Sequence, residues 1–322
     1  MLPAPAMTTL DSCRITHFED LDDQALGFAQ FDQHYCQTGP GRFAGTICLY
    51  PETGGVRVCR EQTNVPLMQQ GALRTGARMF AVPLNVRRCT TYQGVAMSDT
   101  IAHLAGGQTF EVHSAGAVDY VMVSVDDDAF AGYAEYLGGL DTLHWLTQST
   151  LSVGRAALER VSAEVGACVD AVAQDTAALR FGNARKALRE DVIGSLLHLL
   201  VEAAPPPRRN VTHLTYADVV QRSREHVQAN RDEAISVMDL CRLLRVSRRT
   251  LQTSFQEVSG VSPSTYLRAV RLTAVRKLLR ETPAAELGIG SAAARWGFLN
   301  SSKFAADFRN MFGISPSQVV RP

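Results

Sequence analysis

Between about Arg14 and Ser124, short apolar runs alternate with turns marked by glycine or proline, as in TICLYPETGGVRVCRE, RMFAVPL and TFEVHSAGAVDYVMVSV. Runs of this length predict β-strands, with Gly54–Gly55 and Ala115–Gly116 as turn positions. Strands with an apolar face must bury it, so an antiparallel barrel or sandwich is expected. Beyond Asp128 the period changes. Leu158, Val161, Val165, Cys168 and Val172 recur at spacings of 3, 4, 3 and 4, two heptads of an a/d seam. Such a seam suits a helix packed on its own domain and equally a helix that pairs with a second subunit. Another amphipathic helix is expected from about Leu188 to Val201, and the Pro205–Pro207 run after it breaks helices and marks a boundary.

The remainder reads as helix throughout and holds two copies of one local pattern. In the first, Ser236 caps a helix whose Val237, Leu240, Cys241 and Leu244 share a face, with Asp239 placed to complete a capping box. Ser247 starts a second helix that turns Leu251, Phe255 and Val258 inward and carries Arg249, Gln252, Thr253 and Gln256 on the opposite stripe, with Arg248 beside it. A tight pair of helices whose second member exposes arginine, glutamine and threonine meets the needs of a helix-turn-helix. Arginine pairs with guanine in two-pronged fashion and glutamine with adenine, while threonine meets a thymine methyl or a phosphate. In the second copy, Ile289, Ala292, Ala293 and Trp296 share a face, the chain turns at Gly297 and a helix restarts near Asn300–Ser302, burying Phe304, Phe308, Met311 and Phe312. Its outward stripe, Lys303, Ala306, Asp307 and Asn310, is poorer in base-reading groups, so Asn300, Ser301, Ser302 and Lys303 are expected to position phosphates. A helix from Pro263 to about Glu281 separates the copies and carries Arg268, Arg271, Arg276, Lys277 and Arg280.

Charge supports this division. The 322 residues carry 32 basic and 32 acidic side chains, but residues 1–207 hold 14 Lys/Arg against 23 Asp/Glu and residues 208–322 hold 18 against 9. A basic helical part joined to an acidic one suits a DNA-binding domain attached to something that is not one. With 46% hydrophobic residues the chain is neither disordered nor collagen-like. The apolar stretch Val192–Ala204 is too short for a bilayer and contains His198 and Glu202, and the N-terminus lacks a secretory pattern. A cytoplasmic location and no membrane partner are expected.

The chemistry of an enzyme is sparse. GALRTGAR at 71–78 lacks the Lys-Ser/Thr of a phosphate loop and reads as a hairpin, GIGSAAA is no dinucleotide fingerprint, and no Gly-x-Ser-x-Gly occurs. No His-x-His or His-Glu-x-x-His appears, so the β-rich part is expected to hold no metal and to act as a binding pocket. Phe43, Arg60, Glu61, Phe80 and Glu111 lie on or near strands and are candidates for contacting an effector, since a cationic amine needs a carboxylate and aromatic faces. Seven cysteines without Cys-x-x-Cys suggest neither a disulfide framework nor zinc. A redox-responsive regulator is a second reading, with Cys48 and Cys59 facing each other across a hairpin. An enzyme fused to a DNA-binding domain is a third.

Residues 218–318 resemble the DNA-binding domain of AraC/XylS transcription regulators. The resemblance rests on SVMDLCRLLRVSRRTLQTSFQEVSGVSPSTYLRAVRLTAVRKLL and ARWGFLNSSKFAADFRNMFGISPSQ, where Ser247, Leu251, Phe255, Gly260, Pro263, Tyr266, Gly297, Phe304, Phe308, Gly313 and Pro316 match the family pattern. Val319 departs from it, standing where an aromatic is common. DLCRLLRVSRRTLQ and Trp296-Gly297-Phe298 look most like the regulators of ethanolamine utilisation within the family. The resemblance implies an α+β protein made of a β-rich, cupin-like barrel over 1–130 that senses an effector, a helical connector or dimerisation segment with its linker over 131–207, and a double helix-turn-helix over 208–322. It implies an activator that acts as a homodimer, with promoter DNA and RNA polymerase as partners. It also implies an ethanolamine-like effector, with adenosylcobalamin as a co-effector by resemblance alone and no resident cofactor.

Overall fold

The computed structural model describes residues 13–28, 30–85, 90–136, 147–203, 211–230, 233 and 235–322. The expected linker at Pro205–Pro207, and Cys89, lie outside the described residues. The chain divides into two compact units. The first comprises 1–35, 44–64 and 69–207, and the second 36–43, 65–68 and 208–322.

Two sheets build the first unit. The seven-stranded sheet runs in the order β1 (Arg14–Phe18), β3 (Gly45–Leu49), β4 (Val56–Thr63), β11 (Val118–Asp126), β6 (Ala77–Pro83), β9 (Thr100–Ala105), β12 (Thr150–Ser152). The five-stranded sheet has the order β2 (Phe31–Gln37), β5 (Leu67–Leu73), β10 (Thr109–Ser114), β7 (Thr90–Tyr92), β8 (Val95–Ala96). One face of the larger sheet meets the smaller sheet through Cys59, Met79, Leu104, Phe110 and Met122. Helix α1 (Leu21–Leu26) precedes β2 and α2 (Asp127–Tyr136) follows β11, and the other face of the larger sheet is covered by α3 (Arg155–Gln174) and α4 (Gly182–Glu202), against which Val121, Val123 and Val125 pack. Burial on both faces explains why β11 reads YVMVSV with hardly a polar residue.

Gly54 and Gly55 turn the β3–β4 hairpin with φ of 60° and 73°, as that tight turn requires. The other two turn signals differ from expectation. The breaks at 74–76 and 115–117 each carry the chain from one sheet to the other, so neither GALRTGAR nor Ala115–Gly116 closes a hairpin. Local sequence marks a turn but not the strand beside which the chain then lies. Strand β12 also falls in the stretch read as helical, pairing with β9 from Thr150 to Ser152.

The seam Leu158, Val161, Val165 is at most 2% exposed and belongs to the core under the larger sheet, joined by Val169, with Cys168 and Val172 at its margin. It is filled by its own chain, so α3 does not offer it to a second subunit. Residues 147–203 thus belong to the first unit rather than to a separate connector.

The second unit holds six α-helices among the described residues: α5 (Val211–Ala229), α6 (Val237–Leu244), α7 (Arg248–Ser259), α8 (Pro263–Glu281), α9 (Ile289–Arg295) and α10 (Ser301–Phe312). Helix α5, which the periodicity did not announce, packs on α6 and α7. Leu240, Leu251, Phe255, Leu272, Phe304 and Phe308 form one core, and Val319 is buried in it without the aromatic common at that position.

Candidate nucleic-acid interface and ligand cavity

Local chemistry sets each helix-turn-helix. The Ser236 side chain accepts from the Asp239 amide at 3.2 Å while Asp239 accepts from the Ser236 amide at 3.0 Å, a full capping box that starts α6. Leu240, Cys241 and Leu244 then face the core. Arg245 ends the helix in the left-handed region at φ 54°, which reverses the chain within three residues. Ser247 Oγ next accepts from the Thr250 amide at 3.0 Å and opens α7. Helix α7 buries Leu251, Phe255 and Val258, so Arg248, Arg249, Gln252 and Gln256 are exposed and Thr253 half-buried. The 3.6-residue period delivers these groups to a single outward face.

The second copy repeats the device. Gly297 at φ 76° turns the chain, Asn300 Oδ1 accepts from the Lys303 amide at 2.8 Å, and α10 buries Phe304, Phe308, Met311 and Phe312. Asn300, Ser301, Ser302 and Lys303 are exposed at its N-terminus. Ser247 and Asn300 therefore act as caps of the opening turns. Asp307, read as outward, instead turns to Arg268 of α8 at 3.6 Å with its side chain 23% exposed.

Helix α8 spans 19 residues, or ~28 Å. Its arginines are only partly what the sequence suggested. Arg276 is 7% exposed with its guanidinium 5.4 Å from the Phe312 ring, and Arg271 lies 5.3 Å from the Phe298 ring. With the Arg268–Asp307 pair, three of the five basic residues tie the spacer to the second copy.

The first unit encloses a cavity of about 50 Å³ between its sheets. Phe31, Met79, Tyr92, Met97, Phe110 and Met122 supply its apolar wall, and Glu61, Gln33 and Asp119 its polar groups. Those polar groups are occupied. Glu61, 1% exposed, accepts at Oε1 from Tyr35 at 2.6 Å and Gln24 at 2.8 Å, and at Oε2 from Tyr120 at 2.6 Å and Gln69 at 3.1 Å. Burial raises its pKa against the pull of these donors. Asp119 receives the Arg60 guanidinium through two bonds of 2.8 Å and the Gln62 amide at 2.9 Å. A wider groove of about 500 Å³ adjoins the cavity, sharing Asn85, Ala117, Val118 and Asp119 as a common wall.

Among the five effector candidates, Glu61 alone lines this cavity. Phe80 faces the helices, stacked 5.8 Å from Phe130, and Arg60 lies on that face too, paired with Asp170 of α3 as well as Asp119. Glu111 alternates with the cavity residues Phe110 and Val112 and takes a hydrogen bond from Gln70 at 2.7 Å. Phe43 is buried, outside the cavity wall and outside the first unit. The methionines were missed because the sequence does not reveal which strand face turns toward the second sheet. Cys48 and Cys59 are on opposite faces of the larger sheet, one in the core under the helices and the other between the sheets, so they do not face each other. Among the described residues no cluster of His, Cys, Asp and Glu has the makings of a metal site, and no helix is long and apolar enough to cross a membrane.

Comparison with known proteins reaches the second unit. The family pattern described as a helix-turn-helix domain matches residues 240–321. A "Probable thc operon regulatory protein" of Rhodococcus erythropolis is 36% identical over 104 residues, covering 32% of this chain and 31% of that protein. The "XylDLEGF operon transcriptional activator 3" of Pseudomonas putida is 29% identical over 115 residues, covering 35% of each. The match therefore spans about a third of the length of these curated relatives. A solved structure of a "probable AraC family transcriptional regulator" from Rhodopseudomonas palustris is 34% identical, covering 33% of this chain and 99% of that one, with a TM-score of 0.30. Residues 240–321, with two capped helices on one core, thus carry a helix-turn-helix domain similar to that of AraC/XylS DNA-binding regulators.

Proposed function

We propose that the whole protein is a sequence-specific transcription regulator that binds promoter DNA through α7 and α10 and responds to a small organic effector held between the sheets of its first unit. The observation that carries the DNA reading is the outward face of α7, where Arg248, Arg249, Gln252 and Gln256 stand opposite buried Leu251 and Phe255. The relatives named as activators support activation, with RNA polymerase as the partner. Selection from random duplex DNA by the full chain tests this reading: a recurring motif supports it, and binding without sequence preference overturns it.

The cavity favours an effector with an apolar body. Each oxygen of Glu61 already accepts two hydrogen bonds and Asp119 is paired with Arg60, so the cavity leaves little acceptor capacity for a small ammonium compound such as ethanolamine, while Met79, Met97 and Met122 can repack around an apolar guest. No step is assigned to adenosylcobalamin. Effector action requires different affinities for two conformations of the regulator. Dimerisation through the α3 seam is not part of this reading. Calorimetric titration of the full chain with indole, and separately with ethanolamine with and without adenosylcobalamin, decides the effector class. Ala102 of β9 is buried in the cavity wall, so indole binding that Ala102→Phe abolishes supports an apolar ligand, and saturable ethanolamine binding overturns it.

A further inference from the structure

A pair of thiols occupies the edge of the larger sheet. Strand β1 is the edge strand and pairs with β3 so that Ile15 stands opposite Cys48. Cys13 lies two residues before Ile15 and so returns to the same face, diagonal to Cys48. The two Sγ atoms are 3.3 Å apart. Arg60 is directly opposite Cys48 on β4, and Tyr50 shares the face, its hydroxyl donating to the Val169 carbonyl of α3 at 3.3 Å.

We propose that Cys13 and Cys48 form a dithiol site that a hydroperoxide oxidises to a disulfide, joining the edge strand to the sheet. Three features make Cys48 the attacking sulfur. The hydrogen bond from the Cys13 thiol, helped by the Arg60 charge, outweighs burial and brings the Cys48 thiol down to about 7. Cys13 is held the other way, its pKa raised by its bond to Cys48, and so retains its proton until it is needed. Elsewhere, burial raises Cys59 and Cys168, the second with help from Asp191.

The chemistry balances with one equivalent of oxidant. The Cys48 thiolate attacks the outer oxygen of the hydroperoxide and the O–O bond breaks, leaving Cys48 as a sulfenic acid and releasing an alkoxide, or hydroxide from hydrogen peroxide, which takes a proton from water. The Cys13 sulfur then attacks the Cys48 sulfur and the S–O bond breaks. Hydroxide leaves and becomes water with the Cys13 proton. Two thiols and one peroxide yield one disulfide, one alcohol or water, and one further water. Closing 3.3 Å to a bond of ~2.05 Å asks for a movement of ~1.3 Å, which falls on Cys13, just before the outer strand begins at Arg14.

The test uses the reduced full chain and stoichiometric hydrogen peroxide at pH 7, read by intact mass and by peptide mapping without reductant. The expected result is loss of two hydrogens and a linked peptide containing Cys13 and Cys48. In Cys13→Ser the first step should still occur, with dimedone trapping the sulfenic acid at Cys48. Cys48 should oxidise at least ~5-fold faster than half-buried Cys168, the gain in thiolate fraction being partly offset by lower nucleophilicity. Oxidation of Cys168 at an equal rate, a link from Cys48 to any other cysteine, or a reduced Cys48 after every other thiol has reacted would each overturn the proposal. The wild-type peptide map needs no variant to fold, and DNA binding plays no part in the readout.

Discussion

Removing the Arg249 side chain tests the DNA-binding face where burial and chemistry make opposite demands. Arg249 is exposed on α7, one turn from Thr253 and three residues from Gln252, so Arg249→Ala leaves the Leu251–Phe255–Val258 core untouched. A two-pronged arginine–guanine contact contributes ~1–3 kcal/mol of discrimination, or ~5- to ~150-fold in affinity. The loss should fall on the selected motif and be small on duplexes altered at the contacted base. Lys303→Ala at the start of α10 should weaken every sequence alike. One phosphate contact changes the slope of log K against log salt by ~0.9, so raising salt from ~50 to ~200 mM should cost the variant ~3- to 4-fold less than it costs the wild type. Arg276→Met supplies the opposite case. This arginine is buried over Phe312, so its loss should lower the melting temperature and leave the salt slope unchanged. Fluorescence anisotropy on the selected duplex and single-base variants, at several salt concentrations, measures affinity and slope for all three, and thermal unfolding gives the melting temperature of Arg276→Met. An equal loss on every duplex for Arg249→Ala, or no loss, would take α7 out of the groove. A changed slope for Arg276→Met would mean that burial does not separate structural from DNA-facing arginines.

Three other outcomes follow from the structure. Leu158→Ala empties a fully buried position under the larger sheet and should cost ~2–5 kcal/mol in denaturant unfolding, while light scattering shows the oligomeric state unchanged. A change of state without a stability loss would return the α3 seam to a subunit interface. Burial lowers the pKa of His103 and His113 to about 4 each, so the folded protein binds their protons less tightly than the unfolded chain. The stability they contribute is complete above ~6.5 and is lost as pH falls toward 4, up to ~3 kcal/mol for each. His113→Gln should flatten the fall in melting temperature across that window, and an unchanged profile would refute the assignment. Ser236→Ala breaks the capping box of α6 and should cost ~0.5–2 kcal/mol in thermal unfolding, whereas no change would mean that Asp239 holds that end alone.

The helix-turn-helix units were legible along the chain because their determinants are local. Ser236 with Asp239, Ser247 with Thr250, and Asn300 with Lys303 are caps three residues apart, and the 3.6-residue period sorts Leu251 and Phe255 from Arg249 and Gln252 without reference to any other segment. The change from β-rich to helical character was legible for the same reason. What escaped was set by pairings remote in sequence. Whether the chain after Leu73 or Ser114 folds back or crosses to the other sheet depends on which strand awaits it, and a period of two leaves open which face meets the helices. That choice placed Phe80 and Arg60 under the helices and Met79 and Glu61 at the cavity, and it parted Cys48 from Cys59. It brought Cys13 to Cys48 across 35 positions of sequence. Charge was equally ambiguous: composition counts Arg268, Arg271 and Arg276 as basic surface, but only packing against Asp307, Phe298 and Phe312 decides that they hold the second unit together. The sequence by itself thus determined helices, caps and the outward face of α7, because these rest on neighbours within one turn. Strand partners, the inward face of each sheet and the fate of the buried charges were decided by tertiary structure, because each depends on burial against residues far along the chain.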